Sequence, residues 1–232
     1  ALVIYLVICG LSCIWALSGK FFLQEFSKLI VAAAVYFAIT AWLHRTQGAV
    51  YRIALIVAGC SALYTVLSVE AASTGLTAKL VGLLPGYNGL GIGFEAGTRL
   101  TGIFGNPNVL AGVLAIGTLL SLYLVEGAPE TQRDKLPAAL LSLNAFGLLL
   151  VFSMGGTAMF LLSIVVYLIA AGKGRTASLI HMVLAAVPTL VFAFVAFPCF
   201  NREGVLVVVP LLVMVGNVAV VCLLERFVFG RL

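Results

Sequence analysis

The chain has 232 residues, of which 63% are hydrophobic and only 9% charged, and its mean hydropathy is +1.22. A soluble domain is roughly 45–50% apolar and about 25% charged, and one of this size could not cover so much apolar surface. The composition therefore excludes a soluble enzyme, a disordered chain and a nucleic-acid-binding domain, and it requires lipid as the solvent; the net charge of +5 reads as membrane topology rather than as attraction to an acidic partner.

Inside hydrocarbon every backbone polar group must be satisfied internally, so helices are the default, and no period-two alternation supports a barrel. Apolar runs predict an all-α polytopic transmembrane helix bundle of about eight spans, at 1–19, 29–43, 53–69, 107–125, 138–154, 157–171, 178–198 and 205–224. The second and sixth are short and borrow flanking residues. Ala1 already lies in an apolar run, with no initiator methionine and no cleavable signal. The chain reads as a segment of a longer membrane protein, with 1–232 a single transmembrane domain and 70–106 an extracytoplasmic loop within it.

Placing the start in the cytoplasm puts eight basic and four acidic residues in the inner breaks, against five basic and four acidic in the outer ones. That is the orientation the positive-inside rule favours. All charges fall in breaks or at helix ends on this reading, which argues against an ion pathway through the core. Asn144, His181 and Asn217 are weak intramembrane candidates; His181 reads as interfacial, and Asn217 as a helix–helix hydrogen bond. The small residues Ala111, Gly112, Ala115 and Gly117 read as close-packing positions, and Lys173-Gly174-Arg175 as a topology anchor. The cysteines, Cys9, Cys13, Cys60, Cys199 and Cys222, show no CxxC and no Cys/His cluster, so neither a disulfide framework nor a metal site is expected. The break from Glu126 to Pro137 reads as a solvated cytoplasmic loop.

The stretch 70–106 is the one long break, and long loops in compact bundles are usually functional. Ser73 to Leu84 reads either as a short interfacial or re-entrant helix or as a simple connector. Gly89-Leu-Gly91-Ile-Gly93 lacks the strand–turn–helix setting that a phosphate-cradling nucleotide loop needs. Next comes Arg99-Leu-Thr-Gly102-Ile-Phe-Gly105-Asn106-Pro107-Asn108, leading into an apolar run. Asn106 suits an N-cap and Pro107 the first helical position. A helix opening at the outer face offers backbone N–H groups and a partial positive charge to an anion. Arg99 can add a bidentate contact to a phosphate, and Gly102 and Gly105 permit close backbone approach. A phosphate or pyrophosphate site is one reading; a capped helix beside a snorkelling arginine is the other. Arg202, in the last outer break, is a weaker candidate for a second anion contact.

The string Arg99-x-x-Gly102-x-Phe104-x-Asn106-Pro107-Asn108, followed by Leu110-Ala111 opening a helix, resembles the signature of the O-antigen ligase and O-antigen polymerase superfamily. The resemblance spans about ten residues and is extended loosely by the hydropathy pattern. It implies a GT-C-like glycosyltransferase of the bacterial cytoplasmic membrane that uses no cofactor. Such an enzyme moves a glycan from an undecaprenyl-pyrophosphate donor to a glycan or lipid acceptor on the extracytoplasmic face, among membrane lipids and with no nucleic acid. The residues it implies for pyrophosphate are Arg99, Gly102, Gly105, Asn106 and Asn108. The family often carries Ser-Arg-Gly at the tip of a later helical hairpin. Here the matching place is Phe152-Ser153-Met154-Gly155-Gly156-Thr157, with Met154 where the arginine would stand. Ser153 and Thr157 are weaker site candidates, and Thr157 is also a candidate N-cap. No large external loop with a catalytic histidine follows, so the segment stops before that loop or this member lacks it. A transporter or flippase, or a degenerate family member, is the alternative.

Overall fold

The computed structural model describes residues 7, 10–11, 19–45, 48–83, 93–95, 99–102, 104–127, 135–200 and 207–229. The elements are α1 (Gly19–Arg45), α2 (Ala49–Ser73), α3 (Leu76–Gly82), β1 (Gly93–Glu95), β2 (Arg99–Gly102), α4 (Pro107–Glu126), α5 (Lys135–Val151), α6 (Met154–Ala171), α7 (Arg175–Ala196) and α8 (Val209–Phe229). Among the described residues, five helical segments are long and apolar enough to cross a membrane: α2, α4, α6, α8 and Arg175–Cys199, which is α7 with the 3-10 turn that follows it. Two shorter apolar stretches, Ala33–Trp42 and Leu136–Val151, accompany them. The protein is a membrane-embedded, multi-pass helical bundle. The expected first span, 1–19, falls largely outside the described residues, as do Cys9 and Cys13; Cys60, Cys199 and Cys222 are free thiols.

The chain divides into two compact units, 1–52 and 53–232. In the first, the polar stretch between the expected first and second spans is no break, because α1 runs through Lys20, Gln24, Glu25 and Lys28 without interruption. The stretch holds no proline and no internal glycine, and Gln, Glu and Lys are strong helix formers. Polarity alone therefore does not end a helix, and Glu25 and Lys28 are charges inside one.

In the second unit, α4 and α5 form the centre, with α2, α7 and α8 around them. At one end the core gathers Val69, Leu100, Leu110, Leu114, Phe146 and Leu150; at the other it gathers Leu122, Leu141, Ala185 and Val221. Polar side chains tie the helices together where lipid offers no competing partner. Asn144 Nδ2 donates to Ala58 O and to Ser121 Oγ, each at 3.1 Å, and Ser61 Oγ donates to Val113 O at 3.1 Å. Asn217 Nδ2 donates to Ser142 Oγ at 2.9 Å and to Thr189 Oγ1 at 3.1 Å, so Asn217 is the helix–helix link expected of it.

Close approach comes from glycines set against hydroxyls. Ser61, Thr65 and Ser68 lie on one stripe of α2, at spacings of four and three residues. A Cβ added at Gly117 would overlap Ser61, one at Gly147 would overlap Thr65, and one at Gly102 would overlap Ser68. Gly117 thus has the packing role expected of it. Gly112, on the same helix, has nothing within 4 Å of an added Cβ and faces outward.

Further expectations are resolved or changed. The loop 70–106 contains α3, the short-helix alternative for Ser73 to Leu84, and the Leu76 and Thr77 N–H groups at its N-terminus donate to the Glu70 carboxylate at 2.9 and 2.6 Å. It also contains a two-stranded antiparallel hairpin, with Phe94 opposite Leu100 and Glu95 opposite Arg99, that the glycine-rich composition did not suggest. The break expected from Glu126 to Pro137 is shorter than read, since α5 starts at Lys135 and takes Pro137 into its first turn, where a missing N–H costs nothing. Finally, the charges are not confined to breaks and helix ends: α8 runs on to Phe229 and carries Glu225 inside it, buried and bonded through Oε2 to His181 Nδ1 at 2.8 Å. His181 is itself buried, with the Phe229 ring stacked on it at 3.9 Å.

Candidate functional site

The stretch that leads into α4 is built from the outside inward. Arg99 opens β2 opposite Glu95, and Leu100, Thr101 and Gly102 follow it into the bundle, all buried. Gly102 and Gly105 both have positive φ, at 62° and 59°, and the Gly105 N–H donates to Gly102 O at 3.3 Å, closing the turn. Glycine is required twice at Gly102: for the left-handed backbone and because Ser68 and Leu110 leave no room for a side chain. Phe104 leans over this turn against Tyr64, with ring centroids 5.0 Å apart.

Asn106 is the N-cap of α4, with extended backbone at φ −140°, and its side chain accepts from the Asn108 N–H at 2.9 Å. Pro107 is the first helical residue, as expected. The Leu110 N–H donates to Asn106 O at 3.2 Å. The cap therefore uses a donor that the sequence reading left for a ligand. Pro107 has none to give, so of the first-turn donors only Val109 N–H lacks an intrahelical or cap partner by helix geometry.

A second helix start supplies what the first lacks. The hairpin between α5 and α6 has two residues, Phe152 and Ser153. Phe152 holds φ at +46°, a conformation bulky residues rarely adopt, and packs edge-on against Phe197 at 5.1 Å. Ser153, not Thr157, is the N-cap of α6: its Oγ accepts from Gly156 N–H at 3.1 Å, while Thr157 sits exposed in the first turn and its N–H bonds Ser153 O at 2.8 Å. The same Ser153 Oγ donates to Asn108 Oδ1 at 2.8 Å. Below it, a Cβ at Gly156 would overlap the Ala111 Cβ, so the two helices touch at their first turns.

Asn106, Asn108 and Ser153 are thus one hydrogen-bonded unit at two adjoining helix N-termini. Each N-terminus carries roughly half a positive charge. Val109, Met154 and Gly155 are exposed around it, and the N–H groups of Met154 and Gly155 have no intrahelical acceptor. Such an arrangement attracts an anion to backbone donors. The Glu70 carboxylate is committed to α3 and to the Thr74 hydroxyl, so it is not a ready general base. Arg202 lies outside the described residues. Among the described residues, no group of three or more His, Cys, Asp and Glu could hold a metal ion.

Sequence reasoning found Asn106 and Pro107 because capping chemistry is local. It missed the Phe152 conformation and the Ser153–Asn108 bond, which joins residues 45 positions apart. The nearest local signal for the latter is a serine three residues before a glycine at a helix start. Compared with known protein families, with curated proteins and with solved structures, the chain has no significant match.

Proposed function

We propose that this chain is part of a membrane glycosyltransferase of the O-antigen ligase or polymerase kind, GT-C-like in class. It takes a glycan from undecaprenyl pyrophosphate on the extracytoplasmic face of a bacterial cytoplasmic membrane and joins it to an acceptor hydroxyl in surface-polysaccharide assembly. The observation that carries this reading is the Ser153–Asn108 hydrogen bond. It links the Arg99–Asn108 string, which resembles that family, to the Phe152–Thr157 hairpin, which stands at the place of the family's Ser-Arg-Gly but departs from it at Met154.

In this reaction the acceptor oxygen forms a bond to the sugar carbon while the bond from that carbon to the pyrophosphate oxygen breaks, and the hydroxyl proton ends on the released diphosphate. The leaving diphosphate gains negative charge, and preorganised donors at the helix starts, with the Arg99 guanidinium, stabilise it. The test is Arg99→Ala in the full-length protein, read as transfer of glycan to acceptor in membranes. Transfer falling by about 100-fold or more, the loss typical of removing one transition-state donor, is expected. Undiminished transfer by a folded variant overturns the site.

A second reading is favoured by Met154, which is 91% exposed where the family often has arginine. In that reading the chain is a degenerate, partner-dependent member, or a non-enzymatic flippase or transporter. Met154→Arg separates the two: increased transfer supports an active member short of one charge, and unchanged, absent transfer supports the second reading.

A further inference from the structure

A groove of about 540 Å³ runs along the outside of the bundle between α5 and α8, lined by Leu136, Ala139, Val218, Ala219, Leu223 and Arg226 among others. The two helices are antiparallel, since Asn217 bonds Ser142 in mid-bundle while Leu136 and Arg226 share the groove near the opposite ends of their helices. Small side chains, Ala139 and Ala219, make the floor; Leu136 and Leu223, both more than half exposed, make the walls. All the lining residues named are apolar except Arg226, which is exposed in the last turn of α8. The groove lies away from the Asn106–Ser153 unit, at the ends of α5 and α8 that the charge count assigns to the cytoplasm.

We infer that this groove holds one acyl chain of an anionic glycerophospholipid, with its phosphate on the Arg226 guanidinium. The groove belongs to a membrane-embedded bundle and is too apolar for water, so hydrocarbon is its natural occupant. A guanidinium at the helix-end side of such a groove, in the last turn of an apolar helix, matches a phosphate in both charge and geometry. Its sequence neighbour Glu225 does not cancel that charge, because it is turned inward onto His181 at 2.8 Å.

The test is native mass spectrometry of the purified full chain, titrated with phosphatidylglycerol or phosphatidylcholine of matched chains. Wild type is expected to retain one phosphatidylglycerol with about a five-fold preference, the equivalent of about 1 kcal/mol for one basic group near the membrane surface. R226Q is expected to lose the preference while still retaining lipid of either kind. A219F, which fills the floor on an exposed face, is expected to reduce retention of both lipids at an unchanged melting temperature; should A219F not fold, A139L makes the same test. K79Q, at a distant exposed lysine, is expected to behave as wild type. Equal retention of phosphatidylglycerol by R226Q and wild type overturns the proposal. So does its displacement by inorganic phosphate alone, or full retention by the groove-filled variant.

Discussion

Helices α4 and α6 are about equally apolar, yet half of the membrane-crossing window of α4 is buried in the bundle and none of that of α6 is. The difference lies in their small and polar residues. The inward face of α4 carries Ala111, Ala115, Gly117, Thr118 and Ser121, all buried. The body of α6 is Met159, Leu161, Leu162, Val165, Val166 and Ile169, all well exposed. In lipid, apolarity does not drive helices together, because the tails are as apolar as leucine. Position in the bundle follows instead from which helix lets backbones approach and offers polar partners. The two helices meet at their first turns, where Gly156 lies on Ala111 and Ser153 bonds Asn108.

The largest effect is expected at the tightest contact of α4. Gly117→Ala pushes a methyl into Ser61 and to 2.8 Å from Asn144 Oδ1, where Ser61 Oγ and Asn144 Nδ2 hold interhelical hydrogen bonds. It should cost about 1–3 kcal/mol, as over-packing does. Gly112→Ala on the same helix meets nothing and should stabilise by up to about 1 kcal/mol through helix propensity. Thermal melting of the two variants in one detergent measures both, and equal shifts would break the contrast.

Next in size is the junction between the helices. Ser153→Ala removes the α6 cap and its bond to Asn108, and should cost about 1–2 kcal/mol. Ser153→Thr keeps the hydroxyl and should recover most of that loss. If Ser153→Ala melts like wild type, the junction contributes nothing to stability.

The smallest effect belongs to the outer face of α6. Val166→Ala, at a 59% exposed site, should change stability by less than about 0.5 kcal/mol. Asn217→Ala, inside the bundle, should cost about 0.6–1.7 kcal/mol through its lost interhelical bonds. A large loss at Val166 would show that α6 has a protein neighbour rather than lipid on that face.

Much of this architecture is legible from residues alone. The run boundaries at Pro107 and Gly172, the Asn106 cap and the packing glycine at Gly117 follow from local chemistry. The continuous α1 was not legible, because a polar stretch without glycine or proline looks the same whether it breaks a helix or continues one. The β-hairpin was not legible either, since three- and four-residue strands carry too little pattern to register. Of the candidate site, Gly102, Gly105, Asn106 and Asn108 could be read in advance. Ser153 stood only as a weaker candidate, and its bond to Asn108 could not be read in advance.

By itself the sequence determined the solvent, the helical class and the start of α4 at its Asn106 cap, because transfer of apolar side chains to lipid and capping of backbone N–H groups are decided within a few residues. Only the tertiary structure decided which apolar helix is central, that Glu225 turns inward to His181, and that two helix N-termini share one serine. Those outcomes depend on contacts between residues far apart in the chain, which hydropathy does not encode.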